Sequence, residues 1–92
     1  LFFMDNFLQK GSYMDCGMFI QSIMLSAVEH GLATCPQAAL GEYPDIVREE
    51  LSYAEDKLLL CGMALGYEDK SEIVNSYRTP RKELDKMVRY FS

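Results

Sequence analysis

Three groups of residues in this chain have types and spacings that suit chemistry. The first is Cys35, in Thr34-Cys35-Pro36-Gln37, which follows the single histidine, His30. A cysteine nucleophile needs a base within hydrogen-bond reach to hold it as thiolate. His30 falls at the end of a helical stretch, so a catalytic thiol is not supported. The second is the turn over Thr34–Ala39. Pro36 has no N–H and fixes its own φ, whereas Gln37, Ala38 and Ala39 keep their amides. Small side chains at 38 and 39 let a flat ligand approach the backbone. Amides aimed at a heteroaromatic ring stabilise the charge it takes up on reduction, the logic of an oxyanion hole; the plain alternative is an ordinary loop. The third group is the basic tail of Arg78, Arg81, Lys82, Lys86 and Arg89. Either it lies against the acidic surface of its own or a partner subunit, or one or two of its arginines grip a phosphate with the guanidinium fork.

Other chemistries find no residues to carry them. Cys16, Cys35 and Cys61 are widely spaced and offer no CxxC pair, so with one histidine they make no recognised zinc set. They read as reduced thiols packed as small apolar residues in a cytoplasmic protein. A glycine-rich phosphate loop, a GxSxG elbow and an HExxH helix are all absent. Glu49 and Glu50 read as a solvated helix edge. A net charge of −5 gives no support for nucleic-acid binding. No apolar run reaches the ~20 residues of a membrane span, so no membrane partner is expected. The chain is 49% hydrophobic, with six Met, six Tyr and five Phe, which argues for a packed protein rather than disorder.

The elements that must position these residues follow from the patterning. Leu1–Met4 is a short apolar run that reads as a strand buried on both faces. An opening on such an unshielded strand predicts residues upstream of Leu1, while "MVRYFS" reads as a terminus. Gly11 and Ser12 read as turn residues, and Asp15 as the cap of a helix running to about His30. Gly31 is its left-handed stop. Within that helix Ser22, Ser26 and Glu29 form one narrow polar stripe; Met18, Phe19, Ile20, Ile23, Met24, Leu25, Ala27 and Val28 fill most of the rest. A helix apolar over most of its circumference needs partners on several sides, some of them on another chain. Residues 36–41 read as a loop or a single helical turn. Pro44 suits the first position of a second helix ending near Leu51, with Ile46, Val47 and Leu51 as its apolar face. Lys57–Tyr67 is a continuous apolar run whose glycines, Gly62 and Gly66, favour a central strand over a helix. Residues 67–72 form an acidic loop. Leu84, Met87, Val88 and Phe91 recur at helical spacing and predict a short amphipathic helix or a clasping tail. The order gives an α+β arrangement with too few strands to close a sheet by itself.

Taken in order, "DCGMFIQSIMLSAVEHGLATCPQAAL", "VREEL", "LLLCGMALGYED" and "VNSYRTPRKEL" resemble the C-terminal half of the nitroreductase family. The resemblance covers essentially the whole chain. It implies an FMN-binding α/β sandwich, with residues 1–92 as the C-terminal part of a single domain. It also implies an intertwined homodimer with FMN between the subunits, electrons drawn from NAD(P)H, and nitroaromatic or quinone-like acceptors served by a ping-pong cycle. The turn matching Pro36, Gln37, Ala38 and Ala39 would lie along the flavin, its amides facing N5 and O4. Arg78 and Arg81 both match the basic residue that reaches the FMN phosphate. The family's N-terminal Arg/Ser-rich segment, which grips the ribityl chain and phosphate, has no counterpart here. The competing expectation is therefore a non-catalytic dimerisation or interaction fragment lacking half of the flavin site.

Overall fold

A computed structural model describes residues Leu1–Ser92 throughout. The chain runs through β1 (Phe2–Asp5), α1 (Lys10–Glu29), β2 (Ala33–Gln37), a 3-10 turn at Ala38–Glu42, α2 (Pro44–Leu51), β3 (Lys57–Gly66), the single helical turn α3 (Ile73–Ser76) and a 3-10 turn at Leu84–Lys86. The three strands form an antiparallel sheet in the order β1-β3-β2, so the apolar run Lys57–Gly66 is central, as its composition predicts.

The sheet is covered in part on both faces because β1 alternates. Phe2 meets Phe19 of α1 edge-on at 6.3 Å between ring centroids. The next residue, Phe3, meets Tyr53 after α2 at 4.7 Å. Arg48 of α2 stacks over the Tyr53 ring at 4.8 Å, while the Tyr53 hydroxyl donates to the Pro44 carbonyl at 2.9 Å. Successive strand residues face opposite sides, so this pairing places α1 and α2 on opposite faces of the sheet. At the far end of β1 the Lys57 ammonium donates to the Asp5 carboxylate and ties the two strands together.

The helix begins earlier than the residues suggest. Gly11 and Ser12 lie inside α1, and Asp15 is an interior residue rather than its cap. The chain already turns at Asp5–Leu8, where the Leu8 N–H donates to the Asp5 carbonyl and the Asn6 N–H to the Asp56 carbonyl. With the reversal complete there, α1 can start at Lys10. The end matches expectation: Gly31 has φ +70°, and its N–H and that of His30 return to the last turn. α2 and β3 fall where the sequence puts them. The C-terminal helix does not form. Only Leu84–Lys86 is regular, and Leu84, Met87 and Phe91 are exposed. So short an amphipathic stripe holds a helix only when its apolar side is buried against something.

The molecule is flat, 47 × 46 × 23 Å, with a radius of gyration of 16.9 Å, against about 12 Å for a compact chain of this length. Its accessible surface is 8054 Å², against about 5,400 Å² for a compact protein of this mass. The buried apolar side chains are Met4, Ala27 and Leu59. Along α1 the half-buried and buried positions Cys16, Ile20, Ile23, Met24 and Ala27 form one stripe towards the sheet. Met14, Met18, Phe19, Leu25 and Val28 stand exposed on its other sides. This is the many-sided apolar helix that the sequence predicts, with most of its apolar surface still uncovered. No helix is long and apolar enough to cross a membrane.

Candidate functional site at the end of β2

The segment expected to be a turn is two structures joined end to end. Thr34–Gln37 belongs to the edge strand β2, and the reversal is delayed to the 3-10 turn Ala38–Glu42. The reason lies across the sheet, where Cys35, Pro36 and Gln37 pair with Ala64, Met63 and Gly62. A proline is tolerated in a ladder only where its missing N–H faces away from the partner strand. Pro36 therefore occupies a pair without ladder hydrogen bonds, and Cys35 and Gln37 present their backbone groups to β3. Gln37 is extended, at φ −129° and ψ 95°. In a trans peptide the N–H of Ala38 points opposite to the Gln37 carbonyl, so it leaves the sheet edge outward. The first N–H groups of a 3-10 turn have no partner within it. Cys35, Pro36, Gln37, Ala38 and Ala39 are all exposed. The geometry is an open edge of backbone donors flanked by side chains no larger than methyl at 38 and 39.

Two glycines fix where this edge sits. A Cβ on Gly41 would lie 2.7 Å from the Leu60 carbonyl oxygen and 3.3 Å from that of Leu59. The 3-10 turn thus lies directly on the β3 backbone. A Cβ on Gly62, the residue opposite Gln37, would collide with Cδ1 of Leu40.

An open cleft of about 520 Å³ lies at the other end of the β2–β3 pair. Thr34, Cys35, Leu65, Tyr67, Asn75 and Arg78 are among its walls. Its rim is shaped by an Asx-type turn. The Asp69 carboxylate accepts from the Ser71 N–H at 2.9 Å and from the Ser71 hydroxyl at 2.6 Å. These bonds favour the ionised form and hold the Asp69 carboxyl below its ordinary 3.8. Asn75 Nδ2 donates to the Asp69 carbonyl at 2.8 Å. Arg78 donates to the Asn75 carbonyl at 2.9 Å and approaches Glu68 at 3.9 Å, with its side chain largely in solvent.

The predicted site residues therefore separate. Ala38 and Ala39 form the donor edge, while Pro36 has no N–H and the Gln37 N–H, expected to face a ligand, is turned to β3; Arg78 joins Thr34 and Cys35 at the cleft. Arg81 lies outside that cleft, its guanidinium donating to the carbonyl and hydroxyl of Thr79. Cys35 is exposed, not packed as a small apolar residue; Cys16 and Cys61 are half-buried, and all three are free thiols. Sequence reasoning treated residues 67–72 as a plain surface loop and missed Tyr67 and Asn75 as cleft walls. The signal was Asp69-Lys70-Ser71, the spacing of an Asx turn, which orders such a loop.

An α+β layer whose edge strand ends in an open row of amides, beside a cleft carrying an arginine, is the arrangement to set against known proteins. A model of the nitroreductase family matches residues 6–67. The chain belongs to the nitroreductase family. It is 39% identical over 82 residues to a 4-nitrobenzoate reductase of Pseudomonas putida, covering 89% of this chain and 36% of that protein. It is 43% identical over 76 residues to nitroreductase NfnB of Mycolicibacterium smegmatis, covering 83% of this chain and 32% of the other. Among solved structures it superposes on the FMN and NADPH-dependent nitroreductase NfnB from Sphigopyxis sp. strain HMH with a TM-score of 0.93 and 37% identity, over 98% of this chain and 40% of that one. The FMN-dependent NfnB of Mycobacterium smegmatis, solved in complex with NADPH, gives a TM-score of 0.90 at 39% identity, again over 98% and 40%. The chain spans about a third to two fifths of the length of these relatives.

Proposed function

We propose that this chain is the C-terminal part of a single nitroreductase-like domain in an FMN-dependent oxidoreductase that reduces nitroaromatic or quinone-like acceptors at the expense of NAD(P)H. The observation that carries this reading is the outward amide edge at Ala38 and Ala39. It offers donors and no bulk, which suits the rim of a flat ring that gains negative charge. FMN, when bound, supplies the electron-carrying chemistry, alternating between NAD(P)H and acceptor in a ping-pong cycle. The chain's own residues hold and tune. The amides of Ala38 and Ala39 would donate to the pyrimidine side of the ring, with Pro36 and the ladder-paired Gln37 leading the strand to that edge. Arg78 would hold the phosphate in preference to Arg81, because it already stands at a cleft. The dependence of the NfnB nitroreductases on FMN, and the solution of one of them in complex with NADPH, support the choice of cofactor and donor.

The exposed faces of α1 support a homodimer, in which a second subunit covers Met18, Phe19, Leu25 and Val28. Three free thiols fit a reducing cytoplasm. The same exposed surface favours a second reading, an interaction fragment without catalysis. One experiment separates the two. The full-length protein is purified, its visible absorbance recorded and the heat-released pigment chromatographed; NADH and NADPH oxidation are then followed with a nitroaromatic and with a quinone. Stoichiometric FMN and parallel double-reciprocal plots are expected. A colourless protein that takes up no added FMN would leave the interaction fragment as the function.

A further inference from the structure

We infer that Leu40 and Gly62 form a peg and notch that sets the position of the amide edge, making both of them positioning residues for the flavin site. The consequence at the flavin rests on the function proposed above; the peg and notch themselves rest on the geometry alone.

Gly62 is buried and lies opposite Gln37, the last paired residue of β2. Its φ is ordinary, since Gly31 is the glycine with positive φ, so the requirement for glycine at 62 is one of space. The space is taken. Leu40 Cδ1 occupies the position a Cβ would need, Leu40 Cγ would be 3.4 Å from that Cβ, and Leu1 Cδ2 3.1 Å. One residue further, Gly41 rests on the Leu60 carbonyl at a distance that admits no side chain. Leu60 is itself unusual: β1 pairs Phe2 with Cys61 and Phe3 with Leu59, so the register slips and Leu60 faces no residue of β1. The turn is thus seated at two successive residues, a side chain in a notch and a backbone on a slipped strand. Both follow directly on Ala38 and Ala39. Leu40 is partly exposed, so a neighbour at 62 that displaces its backbone, and not only the end of its side chain, turns the amides that precede it, while β2 stays anchored by its ladder to β3.

The test uses the full-length protein with Gly62→Ala, Leu40→Ala and the two combined. Gly62→Ala forces the peg out, and Leu40→Ala removes it; in the combination the added methyl enters the space that Leu40 Cδ1 vacates. Hydrogen exchange at Gly41 and Glu42, whose N–H groups close the 3-10 turn, is read first on flavin-free protein. Gly62→Ala is expected to speed it by roughly tenfold to a hundredfold, the usual consequence of overpacking, and the combination to recover most of that loss. Leu40→Ala needs no extra room, so it tests the peg even where Gly62→Ala folds poorly. The second reading is the midpoint potential of bound FMN. A tenfold selective loss of affinity for the reduced form appears as about 30 mV in the negative direction for a two-electron couple, and it too should be recovered in the combination. Unchanged exchange in Gly62→Ala, or no recovery in the combination, overturns the peg and notch. Faster exchange with an unmoved potential in a protein that holds FMN overturns the positioning role. A parent protein that takes up no FMN refutes the proposed function instead, and exchange alone then decides the peg.

Discussion

The most direct perturbation of the amide edge is Ala38→Pro, because the structure makes it nearly free of side effects. Ala38 opens a 3-10 turn, where φ lies close to the −65° that proline imposes. The residue before a proline must be extended, and Gln37, at φ −129° and ψ 95°, already is. The Ala38 N–H points away from β3, so no ladder bond is lost. The substitution therefore deletes one donor and leaves the backbone path in place. Stability should stay within about ±0.5 kcal/mol of the parent, the range of a surface change that touches no special feature. A hydrogen bond to a charged group contributes about 1.5–3 kcal/mol. If that bond is made chiefly to the reduced ring, the midpoint potential of bound FMN falls by about 30–65 mV for a two-electron couple. The assay is redox titration of the full-length protein against a dye of known potential, with Ala38→Gly as a control that keeps the N–H. A potential equal to the parent's, in a folded variant that still binds FMN, would show that the Ala38 amide does not face the ring.

Three further outcomes follow from the fold. Leu59→Ala removes the most buried side chain and should destabilise the full-length protein by about 2–5 kcal/mol in denaturant titration; a loss below about 1 kcal/mol would mean that the β3 core is not where stability resides. The hydrogen bond from Lys57 to Asp5 raises the Lys57 pKa above 10.5, so its stabilising effect is complete below that value and fades as pH climbs through the folded one. The stability deficit of Asp5→Asn should accordingly shrink at strongly alkaline pH, and a deficit constant with pH would contradict the pairing. The Asp69 carboxyl is held below 3.8, so its contribution is present above that pH and lost as pH falls through the depressed value. The Ser71 amide resonance should report this transition, and a midpoint at or above 3.8 would exclude the Asx turn.

Some elements carry their own local instruction. Proline at 44, glycine at 31 and the apolar run from Lys57 each carry a local reason for one structure, and α2, the end of α1 and β3 fall accordingly. The misses share a cause. Gly11 and Ser12 suggest a turn only if the reversal has not already been made, and it had been made at Asp5–Leu8 by bonds to the Asp56 and Asp5 carbonyls. Pro36 suggests a loop unless it lies on a sheet edge with its N–H side outward, which depends on the partner strand far along the chain. The helical spacing at Leu84, Met87, Val88 and Phe91 is an instruction to bury a face, and no face meets it here. Of the expected site, the sequence marks where the small residues Ala38 and Ala39 follow a proline, but the pairing of Gln37 with Gly62, and with it the seating of Leu40, depends on a strand far along the chain.

The uncovered surface places the sequence pattern and the site in one physical account. The chain exposes about 2,600 Å² more than a compact protein of its mass. A standard interface covers about 800 Å² per partner, so a single such contact does not close the deficit; covering on several sides does. The deficit falls on α1, on the outer faces of α2 and on the tail, where Met18, Phe19, Leu25, Ile46, Leu51 and Phe91 are exposed. The junction of β2 with the 3-10 turn is exposed as well, Leu40 included, but its backbone is fixed from within. There the contacts are short, internal and made by backbone or by a residue adjoining it: Gln37 with Gly62, Gly41 with Leu60, Leu40 with Gly62. Burial of apolar side chains is non-directional and adapts to whatever covers them, whereas a donor edge must be held to a fraction of an ångström to serve a ring. Stability that depends on covering and geometry that does not are therefore assigned to different residues. It follows that substitutions on the exposed side of α1 should change assembly and thermal resistance while leaving the potential of bound FMN in place, and that substitutions at 40, 41 and 62 should move that potential as well as cost stability.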